Sequence, residues 1–84
     1  MSSPSGGFSK VTYTVPITTQ VSLGIYDVTG RKVRTLLNKT NSPGRYEIIW
    51  NGKDMYGKTR KSGIYFVSIK TGEFRSVKKL VMIQ

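Results

Sequence analysis

The chain has 84 residues, with 14 Lys plus Arg against 4 Asp plus Glu, no His and no Cys. That length suits one small domain, which buries only about 60% of its unfolded surface, and the apolar runs fall far short of the roughly 20 residues of a membrane-spanning helix. The missing Cys excludes a disulfide framework and a thiol nucleophile, and the missing His removes the usual general base and neutral metal ligand. The formal net charge of +10 favours anionic surfaces such as nucleic acid, lipopolysaccharide, acidic polysaccharide or an acidic protein, without choosing among them. A basic surface that serves solubility accounts for it equally well.

There is no Ala, there are 4 Leu, and Val, Ile and Thr together supply 24 residues. β-Branched side chains lose freedom in a helix and fit a pleated surface, so the composition argues for an all-β domain. Nine Gly and three Pro punctuate the apolar runs, as an antiparallel sheet with tight turns requires.

Residues 1–9 (MSSPSGGFS) read as a linker or cloning scar, without the apolar core of a signal peptide. The domain proper is expected over 10–84. Val11, Tyr13 and Val15 alternate with Lys10, Thr12 and Thr14 in a half-buried strand that Pro16 stops. Val21, Leu23 and Ile25 alternate with Ser22, Gly24 and Tyr26 in a second. Asp27-Val28-Thr29-Gly30 is a turn, with Asp27 suited to bond the turn backbone and Gly30 suited to positive φ. Arg31 to Asn38 is a third strand, with Val33, Thr35 and Leu37 on one face and Lys32, Arg34 and Leu36 on the other. Asn41-Ser42-Pro43-Gly44 turns the chain into a fourth, which carries Tyr46, Ile48 and Trp50 inward.

Asn51 to Ser62 is a long polar loop. Gly63 to Lys70 (GIYFVSIK) is apolar on both faces and is expected at the centre of a sheet. After the Thr71-Gly72-Glu73 turn, Phe74 to Ile83 forms the last strand. Its apolar residues occupy both parities, which a bulge near Lys78-Lys79 would reconcile. Six to seven strands without a helical pattern predict an antiparallel β-sandwich, with a small barrel as the competing closure.

Candidate chemistries are few. Asn51, Asp54 and Gly57 suggest a calcium loop, but one Asp among Lys53, Lys58, Arg60 and Lys61 fits an Asx-type turn better. Asp27, Glu47, Asp54 and Glu73 lie in separate turns and strands, with no paired acids and no Gly-x-Ser-x-Gly elbow, so no catalytic site is expected. Glu47 should face solvent or pair with a cross-strand Lys or Arg. Basic residues interleaved with Tyr26 and Tyr56 could contact phosphates, but no specific nucleic-acid motif appears. Trp50 reads as core rather than as a sugar-stacking platform, since it shares its parity with Tyr46 and Ile48. Leu36, Ile49 and Ile64 fall on nominal outer faces, where they either make an apolar docking patch or are covered by the long loop.

The ordered segments VSLGIYDVTGRKVRTL, PGRYEIIWNGKD, GKTRKSGIYFVSIKTG and KKLVMI resemble the small Ig-like β-sandwich of the flagellar hook-capping protein. They also resemble the type A sorting domain found at the C-termini of proteins exported by the type IX (Por) secretion system. The resemblance spans about Tyr13 to Ile83 and rests on Tyr26, Asp27, Gly30, Gly44, Trp50, Gly52, Gly57, Gly63 and Tyr65. Gly63 is expected to permit a tight backbone approach. Asn51 departs from the acidic residue that usually follows the Trp, and the strong basicity is a property of this chain.

The resemblance implies an Ig-like sandwich without cofactors. It implies a C-terminal module of a secreted or cell-surface bacterial protein, acting in type IX sorting or anchoring through a protein partner, either the secretion machinery or an attached catalytic domain. Recognition would then use the final strand: Lys78, Lys79, Leu80, Val81, Met82 and Ile83. Two alternatives stand beside this. One is an accessory module that positions a neighbouring catalytic domain. The other is a module that binds a polyanion or carbohydrate.

Overall fold

The computed structural model describes residues 9–82. Six strands follow in chain order: β1 (Ser9–Val15), β2 (Thr19–Tyr26), β3 (Lys32–Asn41), β4 (Gly44–Trp50), β5 (Gly63–Thr71) and β6 (Phe74–Met82). All pairings are antiparallel, in a two-stranded sheet β1-β4 and a four-stranded sheet β3-β2-β5-β6. The architecture is the expected all-β Ig-like sandwich.

Period-2 patterning decides which side of each strand is buried. Val11, Tyr13 and Val15 of β1 face Val21, Leu23 and Ile25 of β2 and Tyr65, Val67 and Ile69 of β5 in one core. Trp50 closes one end, fully buried, with its ring edge-on to Tyr65 at a centroid distance of 5.1 Å. Such a pair contributes about 0.5–1.5 kcal/mol beyond the area it buries. Tyr13 stacks on Tyr46, centroids 5.3 Å apart. Its hydroxyl donates to Oδ1 of the buried Asn41 at 3.1 Å, crossing from one sheet to the other. As the two apolar faces of its sequence require, β5 is an interior strand.

Two strand expectations need correction. The bulge expected at Lys78-Lys79 is absent: β5 and β6 stay in register from Gly63↔Met82 to Thr71↔Phe74. Leu80 and Met82 therefore face the core, and Val77 and Val81 remain outside, each 59% exposed. The irregularities lie between β2 and β3 instead, at Leu23/Gly24 and Ile25/Tyr26. They break the alternation of β3, so Leu36 and Leu37 both pack against the core while Thr35 is exposed. Leu36, Ile49 and Ile64 thus form no common patch. Leu36 joins the core, Ile49 lies outside the two-stranded sheet, and Ile64 lies outside the four-stranded one.

Candidate functional site

At one end of the sandwich, two loops are built alike. In the first, Asp27 Oδ1 accepts from the backbone N–H of Thr29 and of Arg31, both at 3.0 Å, and from the Thr29 hydroxyl at 2.6 Å. In the second, Asp54 Oδ1 accepts from the backbone N–H of Tyr56 at 2.9 Å and of Lys58 at 3.0 Å. The backbones match too: Asp27 N–H bonds the Arg31 carbonyl and Asp54 N–H the Lys58 carbonyl, with Gly30 and Gly57 donating back to the respective Asp. Both turns need a left-handed residue in fourth place, and Gly30 (φ 88) and Gly57 (φ 80) supply it without a Cβ penalty.

Arg60 reaches both carboxylates, 3.7 Å from Asp27 Oδ2 and 4.0 Å from Asp54 Oδ2. The Asp27 carboxyl is held below its ordinary value, chiefly by the Thr29 hydroxyl bond, against some desolvation, with the Arg31 and Thr29 backbone bonds and Arg60 adding. A cation between the two acids is supplied by Arg60 itself. Among the described residues there is no group of three or more His, Cys, Asp or Glu that would hold a metal.

The remaining motif residues, Gly44 at the far end of β4 apart, serve the same end of the fold. Trp50 Nε1 donates to the Lys53 carbonyl at 2.9 Å, so the core side chain anchors the loop that follows it. Asn51 Oδ1 accepts from Lys53 N–H and from the Arg34 guanidinium, both at 3.1 Å. The Gly52 carbonyl accepts from Arg60 N–H at 2.8 Å. Tyr65 reaches the Lys61 carbonyl through its hydroxyl at 2.7 Å. Gly44 opens β4 beside the Tyr46 ring. Gly63 differs from expectation, since open space stands where its Cβ would be and its φ is 154. Its role is backbone conformation at the start of β5, not close approach. Glu47 is diagonal to Lys10, at 3.6 Å, in an exposed pair worth about 0–1 kcal/mol.

The proposed recognition residues share β6 but not a face. Leu80 and Met82 point inward and are closed to a partner, whereas Lys79 and Val81 point outward and are exposed. Lys78 lies at the seam between the sheets, its Nζ 3.2 Å from the Thr12 carbonyl of β1. Ile83 lies outside the described residues. β6 pairs on one side with β5, and its other edge faces β1 without a ladder. An open cleft of about 350 Å³ follows this seam, lined by Tyr13, Ile69, Phe74, Arg75 and Lys78 among others.

The profile of the FlgD Ig-like domain matches residues 4–73. The chain belongs to this family. A search of curated proteins finds no match. Among solved structures, FlgD of P. aeruginosa superposes with a TM-score of 0.70 at 23% identity, covering 89% of this chain and 58% of that one. FlgD from Xanthomonas campestris, described for hook capping in flagellar assembly, gives 0.71 at 22%, covering 92% and 56%. Dimeric latent PorU from Porphyromonas gingivalis gives 0.63 at 22%, covering 96% of this chain and 9% of that one. At these identities the likeness is one of fold. The chain spans a little over half of each FlgD and a small part of PorU.

Proposed function

We propose that the domain is a non-catalytic module of a larger exported bacterial protein, which a type IX secretion system reads for sorting or for attachment at the cell surface. One observation carries the reading: β6 is an edge strand whose outer backbone is not laddered, beside an open cleft that Arg75 and Lys78 help to line. An edge of this kind accepts a partner strand through main-chain hydrogen bonds, and neighbouring pockets supply specificity. The ordered strand and turn motifs, which resemble type A sorting domains, give the partner its class. The exposed side chains on offer are Lys78, Lys79 and Val81, with Leu80 and Met82 holding the strand in place from within.

The test fuses the whole chain to a neutral reporter with a signal peptide, in hosts with and without a working type IX system. Surface or medium delivery that depends on the system supports the proposal, and Lys79→Glu with Val81→Glu should then reduce delivery without unfolding the domain. Removing β6 altogether would be uninformative, since it strips Met82 and Leu80 from the core. Periplasmic retention in both hosts refutes sorting. It would favour an accessory module within a longer chain, a reading consistent with the small share of PorU that the domain covers.

A further inference from the structure

The outward face of the four-stranded sheet shares Arg75, Lys79 and Val81 with the β6 edge but carries a further feature across β2 and β5. Register places its residues in rungs across β2, β5 and β6: Tyr26, Phe66 and Lys79; Gly24, Ser68 and Val77; Ser22, Lys70 and Arg75. Gly24 is buried although it lies on the outer face, because the Tyr26 ring covers it. A Cβ at Gly24 would stand 3.2 Å from Tyr26 Cε1 and 3.5 Å from Lys32 Cε. The missing side chain lets the half-exposed tyrosine lie down along the sheet, with the Lys32 ammonium 5.9 Å from its ring centroid.

One end of this face is a polar network of neutral groups. Gln20 Nε2 donates to Asn38 Oδ1 at 2.6 Å, the Ser22 hydroxyl to the same oxygen at 3.3 Å, and the Thr40 hydroxyl to Gln20 Oε1 at 3.2 Å. The Lys32 ammonium stands over the ring and Lys70 lies opposite Arg75 four residues along the strands, a separation of about 13 Å. The outward rungs hold no carboxylate.

We propose that this face binds an acidic polysaccharide rich in uronate, with Tyr26 as the platform for a sugar ring, the Gln20–Asn38–Thr40 network facing sugar hydroxyls, and Lys32, Lys70 and Arg75 taking the carboxylates. Charge complementarity names an anionic partner. The spacing of the cations along the strands fits a polymer whose charges recur, better than it fits a single small anion. The neutral amides and hydroxyls fit a hydroxyl-rich chain. Single-stranded nucleic acid asks for a run of aromatic platforms, whereas these rungs hold only the one adjacent pair, Tyr26 and Phe66. The proposal does not rest on the export reading.

Affinity electrophoresis of the whole chain in gels containing polygalacturonate tests it, with dextran and poly(dT) as comparison ligands at two salt concentrations. The expected result is retardation by polygalacturonate and not by dextran, and stronger retardation than by poly(dT) at the higher salt. Tyr26→Ala and the pair Lys70→Gln with Arg75→Gln should each weaken retention roughly ten-fold. Lys10→Gln, a charge change on the other sheet, should leave retention nearly unchanged. Emission from the buried Trp50 reports whether each variant is folded. The charge pair involves exposed groups only and remains decisive if Tyr26→Ala unfolds. Equal retention by poly(dT), or equal losses from Lys10→Gln and the Lys70/Arg75 pair, would overturn the proposal in favour of unspecific charge. Retardation by dextran would overturn the requirement for acid groups.

Discussion

Replacing Tyr13 with Phe removes one hydroxyl and keeps the ring stacked on Tyr46. That hydroxyl donates across the sandwich to Asn41 at 3.1 Å, and both residues are only 7% exposed. Burial holds the Tyr13 phenol above its ordinary value, with Tyr46 adding to the effect, so the donor stays protonated at neutral pH. The net value of such a bond is about 0.5–1.5 kcal/mol, but leaving its buried partner unsatisfied costs about 1–3 kcal/mol. Tyr13→Phe should therefore destabilise by about 1–2 kcal/mol, as should Asn41→Ala, and the double variant should fall short of the sum by about 1 kcal/mol.

Urea unfolding followed by Trp50 emission reads this directly, because the chain has one Trp and it is buried in the core. With a slope of about 1 kcal/mol per molar urea for a domain of this size, each midpoint should fall by about 1–2 M. Single-variant effects that add to within about 0.3 kcal/mol would refute the reasoning, since independent sites add and coupled ones do not.

Four further outcomes follow from the same geometry. Asp27→Asn should flatten the acid side of the stability profile: the folded-state carboxyl is lowered from its ordinary 3.8, so its contribution is present above that value and disappears as pH falls through the lowered one. Thermal melts of the parent chain between about pH 5 and pH 2 should drop more steeply than those of the variant. Asn51→Asp should stabilise by up to about 1 kcal/mol, since the Arg34 bond at 3.1 Å becomes charge-assisted, and added salt should erode the gain. Trp50→Ala should cost about 3–5 kcal/mol, and circular dichroism should show a largely unfolded population at 37 °C. Gly30→Ala should cost about 1–2 kcal/mol, read by urea unfolding, because φ is 88 there. A neutral Gly30→Ala would mean that the Asp27 loop relaxes out of the left-handed conformation.

The inner faces of β1, β2, β4 and β5 are legible in the sequence because one buried face forces a period of two, and Val11-Tyr13-Val15 or Tyr46-Ile48-Trp50 admits one parity. β6 is harder. Phe74, Val77, Leu80, Val81 and Met82 occupy both parities, and a strand at the edge of a sheet tolerates apolar residues outside, so the pattern alone does not separate a bulge from an exposed valine. β3 fails for the converse reason. Its alternation breaks because the irregularity belongs to the pairing with β2, a long-range relation that no local period encodes. The joining of β1 to β4 rather than to β2 is equally non-local.

The loop end of the domain shows where a clearer signal was available. Asp27-Val28-Thr29-Gly30-Arg31 and Asp54-Met55-Tyr56-Gly57-Lys58 share the spacing Asp-x-x-Gly-basic, and both fold into the same hydrogen-bonded turn. Their equivalence can be found from spacing alone, since the short acid and the left-handed glycine fix the turn locally. Their union through Arg60 cannot, because it depends on the β4–β5 loop crossing back to β3, where Met55 N–H bonds the Val33 carbonyl at 3.3 Å. Gly24 lies between these cases. A glycine two residues before a tyrosine on one strand face marks a place where the ring can lie down, yet a strand allows more than one rotamer. The packing of Lys32 over the ring is what holds the tyrosine down along the sheet.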